Sequence, residues 1–184
     1  KLSKNYKIKP SEREINKSIK SLNPKIKKAI DFAYSRILKF HSLQKFNNIK
    51  YTDKLNNKIE YRYIPIQSIG IYVPSNLPST LLMNAILAKK VAGVKRVVVA
   101  NPRLNGKLNP AVMYAAKKCG ISEIISAGGS QAIASLAYIQ KVNKIVGPGN
   151  DYVARAKKEV FGDVGIEGMM AGPSEITIVA DKNT

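Results

Sequence analysis

The second half of this chain repeats one pattern. A short run rich in β-branched residues ends in a glycine turn, and a helical pattern follows at once. Residues 124–125 lead into Gly128-Gly129-Ser130-Gln131, and residues 144–146 lead into Gly147-Pro148-Gly149-Asn150. The run 175–180 follows a further tight loop, Ala171-Gly172-Pro173-Ser174. Strand, glycine turn and helix in succession build a parallel sheet, and such sheets hold ligands beyond the carboxyl ends of their strands. The expected class is therefore α/β: an incomplete Rossmann-like parallel sheet with flanking helices, preceded by an N-terminal helical segment.

The upstream pattern divides the chain into a helical extension with its connecting loop (1–60) and a Rossmann-like α/β domain (61–184). Ser11, with Glu14 three residues on, forms a capping box and predicts a helix over 11–22. Asn23-Pro24 restarts a helix whose stripe is Ile26, Ile30, Ala33, Ile37 and Phe40, widened by Tyr34, Leu38 and His41. Residues 46–58 read as a loop or weak hairpin, and 61–73 as extended chain with a bend at Pro65. Ser79 is expected to cap a deeply buried helix ending at Gly93. Strands are predicted over 97–100, 124–126, 144–146 and 176–180. Helices are predicted over 110–120, 130–140 (capped by Ser130) and 151–161, with 162–170 irregular.

Composition narrows the function classes. A 45% share of hydrophobic residues fills a sizeable core. No apolar run approaches the roughly 20 residues that span a bilayer, and the basic start, 1–8, has no apolar core of a secretory signal. A single cysteine, Cys119, excludes an internal disulfide framework and suits a reducing cytoplasm. Cys119 stands at the end of a helical pattern with no activating base nearby, so a buried small hydrophobe is expected there. The net charge of +19 raises the question of nucleic acid. The lysines, however, are spread along the chain without an arginine-rich stretch or an aromatic–basic stacking surface, so nucleic acid is not the expected partner.

The glycine turns are the chemical features. Gly147 and Gly149 permit close backbone approach, Asn150 can cap the helix that follows, and free N–H groups there can hold phosphate. A tight turn with a capped helix explains the same residues equally well. Gln131 offers donors and acceptors toward a ligand, although an exposed helix residue is its commoner role. There is no G-x-G-x-x-G fingerprint with an acidic partner, so an ordinary dinucleotide fold is not indicated. His41, the sole histidine, lies beside the apolar stripe of the long helix. It reads as a packed or capping residue, and one histidine with one cysteine cannot assemble a zinc constellation or a Ser–His–Asp relay.

Five segments together resemble histidinol dehydrogenase: Gly70-Ile71-Tyr72-Val73-Pro74, Leu77-Pro78-Ser79-Thr80, Gly129-Ser130-Gln131-Ala132-Ile133-Ala134, Lys144-Ile145-Val146-Gly147-Pro148-Gly149-Asn150 and Ala171-Gly172-Pro173-Ser174-Glu175. The helix with Phe40-His41 and Gln44 resembles that family too. The resemblance implies a cytoplasmic, zinc-dependent homodimer of histidine biosynthesis. Its members oxidise L-histidinol to L-histidine through an aldehyde stage with two molecules of NAD, and carry two incomplete Rossmann-like domains. By motif position it implies that Tyr72, Gln131 and Asn150 contact NAD and that Ser174 contacts histidinol. Ser75-Asn76 stands where the family has a Gly-Gly turn.

The family's zinc ligands and its catalytic Glu-His pair fall beyond Thr184, so the resemblance assigns no catalytic or metal residue here. The expectation is a truncated chain, inactive alone, that offers a nucleotide cradle. It is expected to self-associate, or to pair with a missing C-terminal half, through the apolar surface such a truncation exposes.

Overall fold

A computed structural model describes residues 8–74 and 76–167. The predicted strand over 176–180 and the loop carrying Ser174 lie outside the described residues.

Five parallel strands form the central sheet: β3 (Ser68–Tyr72), β4 (Arg96–Ala100), β5 (Glu123–Ile125), β6 (Lys144–Val146) and β7 (Gly165–Ile166), in the spatial order β5-β4-β3-β6-β7. The chain runs outward from β3 through β4 to β5, then returns to lay β6 against the other side of β3. The strand order therefore reverses between β3 and β6, which is where parallel sheets open a crevice.

Strand residues alternate between two cores, as the period of two requires. Ile69, Ile71, Val97, Val99, Ile124 and Val146 face one core, while Tyr72, Val98, Ala100, Ile125 and Ile145 face the other. Burial on both sides accounts for the continuous apolar run of β4. The first core is covered by α1 (Glu12–Lys20), α2 (Pro24–His41), α3 (Pro78–Ala85) and α4 (Pro110–Lys118). The second is covered by α5 (Gly129–Ala134) and α6 (Asp151–Glu159).

The two N-terminal helices begin as their caps dictate. The Ser11 hydroxyl accepts the Glu14 N–H at 3.2 Å, and the Asn23 carboxamide accepts the Lys25 N–H at 2.8 Å. The α2 stripe meets the first core through Ile30, Ala33, Tyr34, Ile37 and Leu38, whereas Ile26 and Phe40 remain exposed. Asp31 of α2 pairs with Lys118 of α4 at 2.7 Å and accepts the Tyr114 hydroxyl at 2.8 Å. The Lys118 and Tyr114 hydrogen bonds hold the Asp31 carboxyl below its ordinary pKa.

Several expectations are corrected. Pro78, with its preset φ, takes the first helical position of α3, so Ser79 falls inside the first turn and does not cap. The helix buries Leu81, Leu82, Ala85 and Ile86, but Met83 is 39% exposed. Ser130 likewise lies inside α5, whose cap is Gly128. Both helices finish in a π turn, Ile86–Val91 after α3 and Ser135–Ile139 after α5. The Leu87 carbonyl accepts from Ala92 N–H, and the Ser135 carbonyl accepts from Gln140 N–H. The segment 162–170 is not wholly irregular, because β6 recruits Gly165 and Ile166 as a short parallel edge strand.

Residues 46–61 carry the hairpin, with β1 (Ile49–Thr52) antiparallel to β2 (Lys58–Tyr61). Its register puts Ile49, Tyr61, Tyr51 and Ile59 on one face and Lys50, Glu60, Thr52 and Lys58 on the other. All four apolar residues are more than half exposed.

Cys119 is fully buried, and burial pushes its thiol up to about 11. In native buffer at pH 8 it will not react with an aromatic disulfide reagent, and it will react stoichiometrically once the chain is unfolded in denaturant. Rapid labelling of the native protein would overturn the assignment.

Candidate functional site

The site is assembled at the carboxyl ends of β3, β5 and β6. Tyr72 is the last residue of β3, and its ring lies buried on the face covered by α5 and α6. The Tyr72 hydroxyl accepts the Gly129 N–H at 3.3 Å, reaching the turn after β5. The Tyr72 backbone meets the turn after β6. Gly147 has φ +110°, and a Cβ placed on it would stand 2.1 Å from the Tyr72 carbonyl oxygen. Only a residue without a side chain fits that approach. Tyr72 thus joins the two glycine turns, one through its side chain and one through its main chain.

α5 and α6 pack against each other and begin at this same edge. Gln131 is exposed in the first turn of α5. Asn150 is exposed at the cap of α6, where its side-chain oxygen accepts the Val153 N–H at 3.2 Å. That capping bond leaves the Asn150 amide group free to donate outward. The two helix starts differ. Asp151 sits in the first turn of α6, whereas α5 has no acidic first-turn residue and its Gly128 cap supplies no side-chain acceptor. The α5 start thus carries no negative charge that would repel an anion, and the α6 start carries one.

The structure therefore gathers Tyr72, Gln131 and Asn150 along one edge of the sheet, at the topological reversal. Ser174 lies outside the described residues. His41 is far from this edge in the chain, at the end of α2, where its Nδ1 lies 2.5 Å from the Gln44 side-chain oxygen and its ring meets Phe40 edge-on. Among the described residues no three His, Cys, Asp or Glu side chains come together in a way that could hold a metal ion.

Two polar residues at this edge escape a sequence reading. Asn101, fully buried, directly follows β4 and donates from its side chain to the Val73 carbonyl at 3.0 Å, fixing the chain as it leaves β3. Lys157 is 3% exposed, and its ammonium donates to the Gly147 carbonyl at 2.7 Å and the Glu167 carbonyl at 3.2 Å. Desolvation lowers the Lys157 pKa, against a smaller opposing effect of the Glu167 charge. Its spacing was the available signal: four residues after Val153 and three before Val160 is the buried side of α6.

Comparison with known proteins bears on all 184 residues. A family model described as "Histidinol dehydrogenase" matches residues 1–184. A histidinol dehydrogenase of Pelagibacter ubique is 65% identical over 187 residues, covering 98% of this chain and 44% of that protein. One from Rhodospirillum rubrum is 46% identical, covering 93% of this chain and 41% of its own length. The crystal structure of histidinol dehydrogenase from Elizabethkingia anophelis superposes with a TM-score of 0.84 at 39% identity, covering 91% of this chain and 40% of that one. The chain thus spans well under half the length of these relatives.

Proposed function

The chain belongs to the histidinol dehydrogenase family, and from that premise we propose that it provides a nucleotide-binding α/β unit for the NAD-dependent oxidation of L-histidinol to L-histidine. The observation that carries the reading is the double engagement of Tyr72 with the turns after β5 and β6. Those turns bare their backbone at the strand-order reversal, and the residues present fit a dinucleotide. The amides of Ser130 and Gln131 in the first turn of α5, where the Gly128 cap supplies no side-chain acceptor, would meet the diphosphate. Gln131 and the outward amide group of Asn150 would donate to its oxygens or to ribose, and Tyr72 would hold the two turns at their spacing. NAD, when bound, supplies the hydride acceptor; this chain's residues bind and orient it.

The described residues do not fit zinc, so no step is derived through a metal. General acid–base catalysis near neutral pH most often uses an imidazole, and the one histidine here ends α2. We place the proton-transfer groups, and the contact of Ser174 with histidinol, as proposals for the longer family protein.

Calorimetric titration of the chain with NAD tests the reading. Saturable binding is expected, weakened several-fold in Asn150→Ala and in Tyr72→Phe, with no NAD reduction when histidinol is added to the chain alone. Absence of binding, or turnover without another polypeptide, would overturn it. The uncovered apolar face of the β1–β2 hairpin supports association with a second copy or with a chain carrying the remainder of the family sequence. Light scattering is expected to show concentration-dependent self-association, and a clean monomer at all concentrations would count against it. No helix among the described residues is long and apolar enough to cross a membrane.

A further inference from the structure

Lys157 is an expensive residue to keep where it is. It is 3% exposed, and no carboxylate lies within ion-pairing distance of its ammonium among the described residues. A buried cation without a counter-ion is disfavoured, and an apolar side chain of similar length would pack in its place at lower cost. What the ammonium does have is two backbone carbonyls, one ten residues before it and one ten residues after it. One is Gly147, the first residue of the turn after β6. The other is Glu167, the residue just past β7.

The geometry of the Gly147 bond is the telling part. Gly147 is held in the left-handed region with its α-carbon against the Tyr72 carbonyl. Its carbonyl is the acceptor that the Lys157 ammonium reaches. A lysine seven residues into α6 leans back along the helix, as helical side chains do, and meets that carbonyl from below. The charge-assisted bond at 2.7 Å fixes the orientation of the Gly147–Pro148 peptide and hence of the amides of Gly149, Asn150 and Asp151 that follow. The second bond ties the same ammonium to the end of β7, so turn, helix and edge strand are locked as one body. The remaining charged neighbour, Glu167, directs its carboxylate to Lys144 at 3.0 Å.

We propose that Lys157 is a positioning residue: by clamping the Gly147 carbonyl to the end of β7 it sets the shape of the turn at which the dinucleotide binds. This rests on the NAD reading for its functional consequence, but the clamp itself does not.

The test uses the full 184-residue chain, as wild type, Lys157→Met and Lys157→Gln, with two readouts. Hydrogen exchange reads the clamp: the amides of Val153 and Ala154, bonded to Asn150, and of Glu167, bonded to Ile145, are expected to exchange about tenfold faster or more in Lys157→Met, with β3 and β4 amides unchanged. Calorimetry with NAD reads the consequence: affinity is expected to fall about tenfold in Lys157→Met and less in Lys157→Gln, which can still donate one bond. Unchanged exchange at those three amides overturns the clamp. Faster exchange with unchanged affinity overturns its role in binding. If the wild type does not bind NAD, the nucleotide reading fails, and the exchange data alone decide the clamp. Should Lys157→Met not fold, Lys157→Gln carries both measurements, and matching wild-type values in it would overturn the proposal.

Discussion

Gly147→Ala is expected to destabilise the chain by roughly 3 kcal/mol or more and to abolish measurable NAD binding. Two costs add. A φ of +110° is strained for any residue with a side chain, at about 1–3 kcal/mol. The new methyl would also sit 2.1 Å from the Tyr72 carbonyl oxygen, with the Tyr72 carbonyl carbon at 3.0 Å and its nitrogen at 3.2 Å. These are backbone atoms of a central strand, paired on both sides, so they cannot yield as a flexible side chain would. Overpacking of that kind costs about 1–3 kcal/mol further. Against a total stability of about 5–15 kcal/mol, the sum is a large fraction. The turn has to move off Tyr72 to relieve it, which separates the two glycine turns. Urea denaturation gives the first quantity and calorimetry the second. A loss below about 1 kcal/mol, or wild-type affinity for NAD, would refute the packing argument.

Leu136→Ala should cost a comparable amount, about 2–5 kcal/mol. Leu136 is fully buried in the π turn after α5 and packs beneath the centre of the sheet. Its two terminal methyl carbons lie 2.9 and 3.1 Å from where a Cβ on Gly70 of β3 would stand. Gly70 leaves space that Leu136 fills. The two positions should therefore couple. Gly70→Ala alone is expected to destabilise by about 1–3 kcal/mol through overpacking. In the double variant Gly70→Ala/Leu136→Ala, the alanine methyl takes part of the vacated space, so the combined loss should fall short of the sum by about 1 kcal/mol. Strict additivity in a denaturation cycle would show that Leu136 does not pack against Gly70 as described.

Much of this was readable from residues alone. The apolar run of β4, the glycine turns before α5 and α6, the helix restart at Asn23-Pro24, the Ser11 cap and the Asn150 cap all follow from local chemistry. Each depends on residues within one turn or one strand of each other. The errors also have local causes. Ser79 and Ser130 have the right chemistry for caps, but Pro78 and the Gly128–Gly129 turn start their helices earlier. β7 has only two residues and exists because β6 offers a free edge, which no pattern of its own announces. The π turns that follow α3 and α5 have no local pattern that announces them.

The candidate site divides along the same line. The sequence picked out Tyr72, Gln131 and Asn150 as residues worth attention, and by itself it determined the α/β class, the parallel strands and the family. Periodicity, turn chemistry and motif order are properties of neighbouring residues. Only the tertiary structure decided that the Tyr72 hydroxyl meets Gly129, that its carbonyl excludes any side chain at Gly147, and that Lys157 is buried beneath that turn. The two Tyr72 contacts join residues far apart in the chain, and the second forms because the crossover from β5 to β6 brings the second glycine turn back beside β3, whereas the Lys157 bond closes a ten-residue span from that turn into α6.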